Sequence, residues 1–145
     1  MSIKPVLRYL LAVAVSYVVA VFFVSLLNSQ AVVSLGYAVT LSQRFDTLAH
    51  DLVGMTELYL PIISVALLIA FLVTRYLIER WVSRSVWLYA LAGFVALATV
   101  HILLKLIFEV SAIAPTATMV GLFSQCLAGA LGGWVYAHFA KQGET

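Results

Sequence analysis

The sequence predicts an all-α membrane protein: an antiparallel bundle of four transmembrane helices, with an amphipathic helix at about residues 40–55 capping the outer end. Three observations predict it. Of 145 residues, 64% are hydrophobic and 10% charged, with a mean hydropathy of +1.10; soluble domains carry about 45–50% apolar and about 25% charged residues. The apolar residues gather in four runs close to the ~20 residues that a span of the hydrocarbon core requires. Between the first two runs, apolar residues recur at helical spacing within a stretch that also carries charge.

The first run, residues 6–27, holds one charge, Arg8, near its start, and follows Lys4. A cleaved signal peptide would have an apolar core of about 7–15 residues and a small-residue cleavage site. This run is longer, and Ser29 with Ala31 matches such a site poorly, so an uncleaved first helix is expected. The second run covers residues 60–77 if Arg75 snorkels to the surface. The third, 86–108, is interrupted by His101 and Lys105, and the fourth, 118–139, by His138. Together the runs make one integral membrane domain over residues 1–145.

Residues 28–57 form the one long connection. Within it Leu41, Phe45, Leu48, Leu52 and Met55 repeat at alternating spacings of four and three, which puts them on one side of a helix. Ser42, Gln43, Arg44, Asp46, His50 and Asp51 fill the other faces. Interfacial helices that bind by charge are rich in Lys and Arg; this one has a single Arg against two Asp, so a capping role is preferred. Residues 31–39 are too short to span and either extend the first helix or enter the membrane shallowly against protein. Gly54 marks a break before the second span, whose first turn accommodates Pro61.

Alternating helices put both termini and the connection between runs two and three on one side. That side carries Lys4, Arg8, Arg75, Arg80, Arg84 and Lys141, whereas the other carries Arg44 and Lys105. The excess of basic residues predicts that both termini face the cytoplasm, with a bacterial inner membrane as the expected location. Acids favour the outer side, with Asp46, Asp51, Glu57 and Glu109 there against Glu79 and Glu144 inside. Trp81, Trp87 and Tyr59 occupy positions expected of interfacial anchors.

The segment HILLKLIFE, residues 101–109, places His101, Lys105 and Glu109 along one side of the third helix. At 1.5 Å per residue His101 lies about 22 Å into a core about 30 Å thick, and Lys105 about 28 Å. Lys105 can therefore snorkel and Glu109 lies beyond the core, leaving His101 below the surface. Ser124 and Gln125 on the fourth helix reach a matching depth, so a hydrogen bond from His101 to either is expected. The same residues form the floor of a candidate outer ligand pocket, with His50, Asp46, Asp51 and Glu57 above.

In the fourth helix Gly129 and Gly133 form GxxxG, and Ala128 with Gly132 a second small pair. Such residues let helices approach closely, either inside one chain or across a homodimer face. Cys126 alone forms no intramolecular disulfide and reads as a small apolar filler. The net charge of +2 implies no nucleic-acid partner. No cofactor, metal site or catalytic residue is assigned: Gly-rich phosphate loops, HExxH, GxSxG and CxxC are missing, and no recognised ligand spacing links the histidines and acids.

In helix number and length alone, the topology is similar to small bacterial four-helix groups such as colicin-immunity-like and DoxX-like proteins; no residue or role is carried over. The expected function is non-enzymatic binding of a partner protein or an amphiphilic ligand at the outer face. A small oligomeric solute or ion transporter is the first alternative, and an intramembrane enzyme or metal-handling protein the second.

Overall fold

A computed structural model describes residues 3–80, 86–108 and 114–141. Glu109, Trp81, Arg84 and Glu144 lie outside the described residues. Within them every regular element is helical. α1 is Ile3–Ser34, α2 Leu41–Gly54, α3 Tyr59–Arg80, α4 Val86–Phe108 and α5 Met119–Lys141, the last preceded by a 3₁₀ turn at Ala114–Ala117. α1, α3, α4 and α5 are long and apolar enough to cross a membrane.

α1 runs beyond its apolar stretch because nothing in NSQAVVS stops a helix; its 32 residues extend about 48 Å. Residues 31–34 thus extend the first helix, and the chain then leaves it through Leu35 and Gly36. The Gly36 N–H donates to Val33 O at 3.0 Å, and its φ of +91° lies in the left-handed region that glycine enters without strain.

α2 begins with a reciprocal cap. The Gln43 N–H donates to Thr40 Oγ1 at 3.3 Å, while the Thr40 N–H donates to Gln43 Oε1 at 2.8 Å, which satisfies two backbone donors that a helix start leaves open. We expect Thr40→Ala to lower the stability of α2 by about 1 kcal/mol. Amide hydrogen exchange should accelerate across its first turn while the unfolding midpoint of the four long helices stays put.

α5 is central, packed against α4 on one side and α1 on the other. Its small residues make this possible. Gly129 faces the backbone of Gly93 in α4, Gly133 faces Tyr89 O, and Gly132 faces Ser16 and Ala12 in α1. The Ser16 hydroxyl donates to Ala128 O at 3.1 Å. Without side chains between them at these positions, the backbones come close enough to gain dispersion contacts.

α3 packs against α4 and, more lightly, α1. It buries Ile63, Leu67 and Phe71 on one face and leaves Val65, Ile69 and Leu72 more than half exposed. Near its C-terminal half Phe71 stacks on Tyr136 at 4.6 Å between centroids, with Tyr89 at 5.1 Å from the same ring. The Tyr9 hydroxyl donates to Ser64 O at 2.6 Å, tying α1 to α3.

Candidate functional site

Three polar side chains from three helices meet in the interior. Tyr59 opens α3, His101 stands in the second half of α4, and Gln125 lies near the start of α5; they are 3%, 4% and 0% exposed. The Tyr59 hydroxyl donates to Gln125 Oε1 at 2.6 Å. Its single proton being used there, it accepts from His101 Nε2 at 3.0 Å, which puts a proton on that nitrogen. Gln125 Nε2 donates to Ala20 O at 3.2 Å. Because a carbonyl only accepts, Ala20 fixes which way the carboxamide points.

Each side chain in this set is bonded to another, and the node joins all four long helices at one level. Tyr17 continues it toward α2: its ring centroid lies 6.4 Å from that of Tyr59, and its hydroxyl donates to Leu52 O at 2.7 Å. A single tyrosine hydroxyl therefore stands where the sequence suggests a direct bond from His101 to helix five. Ser124 is buried, but its hydroxyl returns to Gly121 O at 2.7 Å. Tyr59, expected at a lipid interface, is interior because two buried polar groups need the hydroxyl between them.

The other predicted pocket residues are dispersed. Lys105 is exposed in the last turn of α4, Asp46 and His50 are exposed on α2, and Glu57 is exposed in the connection to α3. Asp51 is partly buried; its Oδ1 is 3.8 Å from His50 Nδ1, and its Oδ2 is buried without a hydrogen-bond partner among the described residues. Also among the described residues, no three His, Cys, Asp or Glu side chains gather as metal ligands would. Ala128, Gly129, Gly132 and Gly133 are engaged by α1 and α4 of the same chain.

The structure opens elsewhere. α2 descends along α1, with Leu41 near Ser29 and Leu52 near Tyr17, and a cleft of about 160 Å³ lies between them. Phe22, Leu26, Leu41, Phe45 and Leu48 supply apolar walls; Ser25, Ser29 and Arg44 supply polar groups. A shallower cavity of about 440 Å³ shares Ser29 and adds Asn28, Tyr37 and Gln43. α2 turns Leu48 and Leu52 toward the core, as its C-cap does Met55, while Leu41, Phe45 and Val53 are at least 70% exposed.

Ser25 and Ser29 were visible in the sequence as hydroxyls spaced by one turn in the first helix, and Ala12, Ser16 and Ala20 as a small stripe below them. Neither pattern stands out where the partners are three separate segments. No family model matches the chain, and no curated protein and no solved structure matches it either.

Proposed function

We propose that this chain is a small multi-pass membrane protein of a bacterial inner membrane, non-enzymatic, that binds an amphiphilic ligand or a partner at its outer face. The four long helices form an antiparallel bundle with both termini cytoplasmic, and α2 lies at the outer end. The pairing along α4 and α5 supports this arrangement, since Gly93 meets Gly129 and Tyr89 meets Gly133, one number falling as the other rises. The open apolar flanks of α3 and α4 suit lipid as their solvent, whereas in water patches of that size mark contact sites. The basic residues on the terminal side support the orientation.

The observation that carries the binding role is α2 itself. Its apolar face is wider than its contact with α1 uses, so Leu41 and Phe45 remain open beside a cleft. A helix built only to cap would bury them. Protein extracted from its native membrane in mild detergent is expected to carry a stoichiometric bound amphiphile or protein, detectable by intact-complex mass spectrometry. Leu41→Ser with Phe45→Ser should strip it while the folded fraction is unchanged. Extraction of bare protein, with no difference between wild type and variant, would contradict the binding role.

A further inference from the structure

We infer that the cleft between α1 and α2 is a binding site for the phosphate headgroup of an anionic phospholipid in the outer leaflet, with Arg44, Ser25 and Ser29 as its ligands. The inference rests on the membrane reading above and names the ligand class of that same face.

The first observation is a pair of unused hydroxyls. Ser25 and Ser29 are 3% and 6% exposed, yet neither hydroxyl has a hydrogen-bond partner among the described residues. Helical Ser and Thr ordinarily return the hydroxyl to a carbonyl one turn back. Ser64, Thr74, Thr99 and Ser124 do so here, at 2.7–2.8 Å. Ser25 and Ser29 instead line the cleft with donors to spare.

The second observation is the cation beside them. Arg44 is among the residues that line the same cleft, and its guanidinium makes no ion pair or hydrogen bond among the described residues. A planar guanidinium binds a phosphate through two parallel N–H···O bonds, and two hydroxyls can donate to the remaining oxygens. Apolar walls from Phe22, Phe45 and Leu48 exclude a fully hydrated ion and suit a head carried on a hydrocarbon chain.

Depth selects the source. Ser25 lies about 31 Å along α1 from Lys4, against a hydrocarbon core about 30 Å thick, so the hydroxyls stand at the outer headgroup level. The cleft of about 160 Å³ is open on one side, so a headgroup can enter it while its chains stay in the bilayer.

The test is thermal unfolding of the full chain in neutral detergent, titrated with phosphatidylglycerol, phosphatidylcholine, oleate or inorganic phosphate, because a ligand of the native state raises the midpoint. Phosphatidylglycerol should raise it and the other three should not. Arg44→Gln should weaken the apparent affinity about ten- to a hundredfold, the range for loss of charge-assisted bonds. Arg44→Lys should restore part of it, Ser25→Ala with Ser29→Ala should weaken it less, and Lys105→Gln should leave it alone. An equal response to phosphatidylcholine, to oleate or to inorganic phosphate, or an Arg44→Gln protein that titrates like wild type, would overturn the inference. If phosphatidylglycerol has no effect while native extraction still yields a component that Leu41→Ser with Phe45→Ser removes, the headgroup assignment fails and the outer-face binding role stands.

Discussion

One methyl group at Gly133 is expected to cost the protein about 3 kcal/mol or more, at or beyond the upper end of ordinary overpacking. An alanine Cβ there would overlap Tyr89 O, with Tyr89 C at 2.6 Å and Ala90 Cα at 3.0 Å. All three are backbone or backbone-anchored, so none can turn aside and α4 must move away from α5. Gly129→Ala and Gly93→Ala meet the same obstacle, each other's backbone. In an isolated helix the change would stabilise by about 1 kcal/mol, so the sign itself is diagnostic of the close approach. Gly132→Ala should cost less, because its closest obstacle is the Ser16 hydroxyl, which can rotate at the loss of its bond to Ala128 O, leaving Ala12 O at 2.8 Å as the backbone contact to be relieved. Gly54→Ala, whose Cβ would find only His50 Cε1 at 4.0 Å, serves as the control and should be neutral or slightly stabilising. The unfolding midpoints in detergent should follow that order, and a Gly133→Ala protein that melts with the wild type would refute the packing argument.

The second large effect belongs to Tyr59→Phe, expected to cost about 2 kcal/mol. Hydrogen bonds between membrane helices average about 0.6 kcal/mol, because the unfolded chain in lipid finds other partners. Here the loss of one hydroxyl strands two groups together, His101 Nε2–H and Gln125 Oε1, both in a region nearly closed to solvent. A stranded buried donor or acceptor costs about 1–3 kcal/mol. Sharing also makes the effect non-additive: once Gln125→Leu has removed one neighbour, Tyr59→Phe should cost less than it does alone. A double-mutant cycle measures this, and strictly additive costs would show that the hydroxyl is not held in common.

How much of this was legible in the sequence depends on whether the cause is local. The four apolar runs are local, and the long helices α1, α3, α4 and α5 cover them; the heptad-like spacing of Leu41, Phe45, Leu48, Leu52 and Met55 is likewise local, and α2 covers its first four members, with Met55 as the C-cap. Hydropathy misjudged the end of α1 because apolarity reports solvent, whereas a helix continues until something such as Gly36 stops it. Gly129 and Gly133 announced a close neighbour, but not that Gly93 would supply it. Tyr59 was misread for a related reason. A tyrosine at the end of an apolar run looks like an anchor, and only the meeting of His101 with Gln125 in space reveals that its hydroxyl is needed inside. The cleft around Arg44 joins α1 to α2 side by side, a juxtaposition that no single segment encodes.

The direction of the buried hydrogen bonds has a consequence for charge movement. A chain of such bonds conducts protons only if each member can accept one and pass another onward. The sequence His101, Tyr59, Gln125, Ala20 O ends on a carboxamide, which releases a proton only through a high-energy imidic form, and then on a backbone carbonyl, which has none to give. The node is an insulator. It locks four helices at one depth, and this chain of bonds gives His101 no route for passing a proton onward.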